Sequence, residues 1–215
     1  MTTNLTVNIL PCLDQKKSEK DHTNYCGYYA LYNSKHLLEG STQNLLIRKS
    51  FTDFFKNALE KVGVKTNYDN LSESELQKLI KQFSLKNLYV IPMKSFFEYV
   101  SSDFALPLSA ILENGQATKN ALKDFASKKI KILTFVAGLA YSGGHWVAMR
   151  ISRMSKNDIT IDVADSLHKV SWYTRNLVIS RIIPFYFAAL GKWDKDLWKE
   201  IVKLNGLSKK VTIKV

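Results

Sequence analysis

The chain has 215 residues, with 31 Lys+Arg against 19 Asp+Glu, a formal charge of +12, and 46% hydrophobic and 12% aromatic content. That apolar content supports one full core and excludes an intrinsically disordered chain. The positive surplus favours acidic partners at long range. The basic residues are scattered, apart from Lys128-Lys129-Ile130-Lys131 and Lys209-Lys210, so they read as solvated faces and no nucleic-acid partner is expected.

In chain order, residues 1–24 open with a short apolar piece, Leu5–Leu10, and then turn polar and loop-like through His22. Thr23 or Asn24 can cap a helix from about Cys26 to Leu38, closed by Gly40. The middle is helical. Leu46–Val62 carries apolar residues at helical spacing before Gly63, and Ser72 with Glu75 makes a capping-box pattern ahead of Leu76, Leu79, Ile80 and Phe83. A short strand is predicted at Leu88–Ile91, with helices around Lys94–Val100 and Ala117–Ser127. Strands follow: Ile130–Val136, then Trp146–Ile151 and Ile159–Val163 around a polar turn. Ala140–Gly144 reads as a small-residue loop, Trp193–Leu204 as a last helix and Val211–Val215 as an edge strand. Helices first and then an antiparallel sheet make an α+β layout. One domain over 1–215 is expected, with 41–127 a helical subdomain.

Two cysteines, Cys12 and Cys26, are too few for a disulfide framework and point to a reducing, cytoplasmic compartment. No signal peptide is visible near the start, although delivery into a host cell by a non-classical route would leave no such mark. The longest apolar stretch, near Ile182–Leu190, is too short to span a bilayer. A monomer is expected.

The chemistry concentrates in two segments. Cys26 stands at a predicted helix start, where the positive end of the dipole favours thiolate, and Gly27 beside it would let a substrate backbone approach. A small buried cysteine at a helix end is the alternative. His145 follows Gly143-Gly144 at the mouth of a strand, held yet able to reach a thiol. A histidine capping a turn would look the same. His22, His36 and His168 read as surface residues. If the hairpin turn centres near Ser155, paired residues sum to about 310 and His145 faces Asp165, whose carboxylate could accept Nδ1–H and fix the tautomer. Asp165 could instead close a turn, and Asp162, opposite Ala148 and of the other parity, is the weaker candidate. No CxxC, HExxH, phosphate loop or dinucleotide fingerprint occurs, so neither metal nor cofactor is expected.

Cys-Gly-x-x-Ala-Leu at a helix start, His-Trp about 120 residues later and Asp-Ser-Leu after the next strand together resemble the papain-fold cysteine peptidases. The Glu19–Asn33 segment resembles the catalytic helix of Josephin deubiquitinases, which share the order cysteine, histidine, then Asn or Asp. Asn24-Tyr25-Cys26-Gly27, His145-Trp146 and Asp165-Ser166-Leu167 are also similar to the ubiquitin-like-protein proteases, in permuted order. The resemblance covers about 45 residues. It implies a papain-like fold, with the N-terminal catalytic helix packed on a C-terminal antiparallel sheet and a helical insertion. It implies a Cys26–His145–Asp165 triad and ubiquitin or a ubiquitin-like protein as partner, cut after its C-terminal glycine. These families carry a glutamine five or six residues before the cysteine. Asp21 or Lys20 stands there in this chain, leaving Gln15 and Asn24 as oxyanion donors beside the Cys26 N–H. Gly143, Gly144, Trp146, Trp172 and Tyr25 are candidates for a narrow channel around a Gly-Gly tail. The same trio also serves peptidases of other peptides and thioester-forming acyltransferases. An inactive modifier-binding module is the reading from a different class.

Overall fold

The helix predicted from Cys26 is the centre of the molecule. α1 spans Cys26–Leu38, and eleven of its residues, from Cys26 to Leu37, are buried, so it is covered on all sides rather than along one stripe. It ends in a Schellman turn: Gly40 takes φ 72°, its N–H bonds Leu37 O at 3.3 Å, and Ser41 N–H bonds His36 O at 2.9 Å. His36, expected at the surface, is buried at that end, edge-on to the Tyr32 ring and 3.4 Å from Glu39. The computed structural model describes residues 2–15, 25–63, 71–91, 120–121, 124–125, 127–139, 145–155, 158–167 and 210–214. The helices expected at Lys94–Val100 and Trp193–Leu204, most of that at Ala117–Ser127, and the loop at 140–144 lie outside the described residues, as do His22, His168 and Trp172.

After a 3-10 turn over Thr42–Leu46, α2 spans Arg48–Val62 and buries Phe51, Phe54 and Ala58, one face at helical spacing. α3 spans Glu73–Gln82, and its capping box forms as the sequence predicts: the Ser72 hydroxyl accepts from Glu75 N–H while the Glu75 carboxylate accepts from Ser72 N–H. Both helices pack on α1, with Tyr29 stacked on Phe51. The described part of 41–127 therefore shares its core with α1.

Six strands form one sheet among the described residues, in the order β2-β3-β4-β5-β1-β6. They are β1 Thr2–Leu10, β2 Leu88–Ile91, β3 Ile132–Leu139, β4 His145–Arg153, β5 Asp158–Ala164 and β6 Lys210–Lys214. The sheet is mixed, which corrects the expected antiparallel one. β1 runs parallel to β5 and β2 parallel to β3, because long stretches of chain separate the members of each pair and allow a crossover. β1 itself goes beyond the apolar piece seen in the sequence; Leu5, Val7 and Ile9 alternate with Thr6 and Asn8, a strand period. The middle strands β3, β4 and β5 are antiparallel, and β4 is buried at five consecutive positions from His145 to Met149, so both its faces are covered. The described chain is α+β. None of its described helices is long and apolar enough to cross a membrane.

Candidate active site

Three side chains from three places meet at one end of this layout. Cys26 is the first residue of α1, after Tyr25 at the N-cap position; Tyr25 supplies no side-chain cap, and the first turn holds no acidic residue. The predicted caps Thr23 and Asn24 lie outside the described residues. His145 is the first residue of β4, paired with Leu139. Asp165 follows directly on β5.

His145 Nε2 lies 2.7 Å from Asp165 Oδ1, and the imidazole is also hydrogen-bonded to the Cys26 thiol. Cys26, His145 and Asp165 are 3%, 1% and 4% exposed, so these contacts work in a low-dielectric setting. Asp165 Oδ1 also accepts the Leu167 N–H at 2.9 Å. Asp165 thus makes both the imidazole contact and the turn contact foreseen as alternatives. Two details of the expected geometry are corrected. The carboxylate holds Nε2 rather than Nδ1. The β4–β5 register pairs Ala148 with Ala164 and Arg150 with Asp162, two residues on from a turn centred at Ser155, so Asp165 reaches His145 diagonally. Asp162 faces Arg150 instead of Ala148, and its carboxylate is engaged there.

Electrostatics act strongly on His145 and on Cys12. Burial, the strongest single influence on His145, pulls its pKa down. The hydrogen bonds to Asp165 and Cys26, together with the charges of both, outweigh it and raise it from 6.5 to about 9. The imidazolium therefore persists at neutral pH beside the Cys26 sulfur. For Cys12, burial first and then the charge of Asp165 push the thiol up to about 12, with Asp14 adding a little and a hydrogen bond from Asn33 opposing. Cys12 stays a thiol.

Gln15 is tied to Ser166, the residue after Asp165. Its N–H bonds Ser166 O at 3.0 Å, and the Ser166 hydroxyl donates to Gln15 Oε1 at 2.7 Å. That second bond makes Oε1 the accepting end of the Gln15 amide. Ser166 was not singled out from the sequence as the anchor of Gln15; only its place after Asp165 could have suggested it. The other oxyanion candidate, Asn24, and the channel candidates Gly143 and Gly144 lie outside the described residues. The two described aromatics proposed for the channel are core. Tyr25 packs against Tyr28 and Phe55, and Trp146 is buried with its indole N–H donating to Leu71 O at 2.9 Å. Leu71 also occupies the space over Gly27: a Cβ there would lie 2.8 Å from Leu71 Cβ. Gly27 admits a core leucine, not a substrate backbone. No sequence signal marks Leu71 for this role.

Among the described residues no group of three or more His, Cys, Asp and Glu side chains is placed to hold a metal ion. The trio sets a thiol, an imidazole and a carboxylate in successive hydrogen-bond contact, an arrangement from which covalent thiol chemistry can proceed. No protein-family profile, curated protein or solved structure matches the chain.

Proposed function

We propose that the chain is a thiol hydrolase of papain-like fold that cleaves ubiquitin or a ubiquitin-like modifier after its C-terminal glycine. The single observation that carries the chemistry is the Cys26–His145–Asp165 contact chain, with Asp165 Oδ1 2.7 Å from the imidazole and the imidazole also hydrogen-bonded to the Cys26 thiol. The helix that opens on the cysteine, packed against the sheet strand that opens on the histidine, supports the papain-like reading, as does the chain order cysteine, histidine, aspartate. The choice of modifier rests on the likeness of the segments around Cys26, His145 and Asp165 to Josephin and ubiquitin-like-protein proteases.

In this mechanism the Cys26 sulfur attacks the carbonyl carbon of the terminal glycine. The oxyanion meets the Cys26 N–H, with Gln15 as the side-chain donor. His145 passes its proton to the leaving amine as the C–N bond breaks, giving a thioester. It then takes a proton from water, hydroxide adds to the thioester, and the C–S bond breaks to release the acid and restore the thiolate–imidazolium pair. Asp165 holds the ring and its charge throughout.

Hydrolysis of a fluorogenic ubiquitin C-terminal amide tests this. Cys26→Ala should abolish turnover with the fold intact, and His145→Ala should lose roughly three orders of magnitude or more. Full activity in either variant would remove the mechanism. Turnover of short unrelated peptides alone would favour a different peptidase, and acyl transfer to an amine in place of water a thioester-forming transferase.

A further inference from the structure

The nucleophile and the base each open the element that carries them, Cys26 on α1 and His145 on β4. From Cys26 to Leu37 the helix advances about 16.5 Å at 1.5 Å per residue. From His145 to Arg150 the strand advances about 17 Å at about 3.4 Å per residue. The two runs match in length, and their far ends touch: Arg150 Nη1 donates to Leu37 O at 3.1 Å. α1 and β4 therefore run side by side in the same direction. A thiol–imidazole bond joins them at one end and a guanidinium–carbonyl bond at the other.

The far joint is firmly built. Arg150 Nε and Nη2 donate to Asp162 Oδ2 at 3.1 and 2.8 Å, and Asn8 Nδ2 donates to Asp162 Oδ1 at 2.8 Å. Asp162 lies opposite Arg150 in the β4–β5 register and opposite Asn8 in the β1–β5 register, so the three span adjacent strands. A carboxylate 5% exposed and held from both sides is a stiff mount for the guanidinium. The cation also sits where the helix dipole favours it, at the C-terminal end of α1. A further side-chain tie from α1 to the sheet is Ser34 Oγ donating to Phe135 O at 2.9 Å, which holds the helix against β3 rather than against the strand that bears His145.

We propose that Asn8, Asp162 and Arg150 form a positioning device for the reaction, setting the axial register of α1 on β4, and with it the approach of Cys26 to His145, from the opposite end of both elements. This rests on the thiol–imidazole reading of the site. A slip of one helical residue is 1.5 Å, far more than a productive hydrogen bond tolerates. Apolar core contacts are non-directional and resist a slip of a fraction of an ångström less sharply than the directional Nη1–Leu37 O bond does, made by a guanidinium that Asp162 holds in place. The ionisable neighbours that act on His145 are Asp165 and Cys26, and the one bonded to Arg150 is Asp162, so the two ends communicate through the elements and not through a shared charge.

The test needs no substrate. In a Cys12→Ala background, the rate of Cys26 alkylation by iodoacetamide is followed from pH 5 to 10, with labelling mapped by peptide mass. Arg150→Lys keeps a cation for Asp162 but lacks the guanidinium's third contact. It should label about tenfold more slowly at pH 6.5 and at the parental rate at pH 10, where the thiolate forms unaided. Asp162→Asn and the milder Asn8→Ala should show smaller losses in that order. Ser72→Ala, which removes the α3 cap, should lower thermal stability yet leave the profile unchanged. Parental profiles in folded Arg150→Lys, Asp162→Asn and Asn8→Ala would overturn the positioning role alone. A parent that labels with an ordinary thiol midpoint near 8.5 would overturn both this role and the active-site reading.

Discussion

Replacing Asp165 with asparagine keeps the side chain's size and its capacity to accept from Nε2–H, but removes a negative charge 2.7 Å from the imidazole. In the native site burial is the strongest single influence on His145 and acts downward. Hydrogen bonds and charges from Asp165 and Cys26 carry the pKa up from 6.5 to about 9. The gap between those two values corresponds to roughly 3 kcal/mol in favour of the imidazolium. A close opposite charge moves a neighbour's midpoint by roughly 1–3 pH units. In Asp165→Asn, burial should regain much of that ground and the midpoint should fall toward or below neutrality. The sign for stability follows: a raised folded-state pKa gives stability that is fully present below about 6.5 and is lost as pH rises through about 9. The native protein should therefore lose up to roughly 3 kcal/mol through this residue across that window, and Asp165→Asn much less. NMR titration of the His145 ring nitrogens, with urea unfolding at the two ends of the window, measures both. A midpoint that stays near 9 in Asp165→Asn, or a native His145 that titrates near 6.5, would refute the reasoning.

The remaining expectations are quickly stated. Cys12→Ala should leave turnover nearly unchanged, because a thiol pushed up to about 12 cannot substitute for Cys26; a large loss of kcat would show that Cys12 takes part. Gly27→Ala should destabilise the fold by about 1–3 kcal/mol through its clash with Leu71, read as a lower denaturation midpoint; a neutral result would mean Leu71 gives way freely. Gln15→Ala should lower kcat about a hundredfold with little change in KM if its amide serves the oxyanion, and an effect on KM alone would assign it to binding.

The sequence made α1 legible to the residue at both ends, because a polar approach to Cys26 and a terminal Gly40 are local signals. The α3 capping box and strand β2 were equally readable. The mixed sheet was not. Parallel pairing of β1 with β5 joins residues more than 150 positions apart, and no local pattern encodes that partner. The hairpin arithmetic found by parity the carboxylate that meets His145, although the true register is shifted by two, since a shift of two keeps every side chain on its face. Parity likewise set Asp162 aside, and the structure gives it a different task on Arg150. Tyr25, Trp146 and Gly27 carried the residue types of a substrate channel, but core packing against Phe55 and Leu71 claims them. Tertiary contacts of that kind are invisible to residue type alone.

The central claim is most directly tested by intact-mass measurement after incubation with a panel of ubiquitin and ubiquitin-like C-terminal electrophiles. The account predicts one covalent adduct with at least one modifier, mapped to Cys26 and absent from Cys26→Ala. Failure of every modifier probe, while iodoacetamide still labels Cys26 rapidly at neutral pH, would contradict the modifier assignment and leave an activated thiol for another substrate. Failure of both reagents would make Cys26 a structural cysteine and contradict the account entirely.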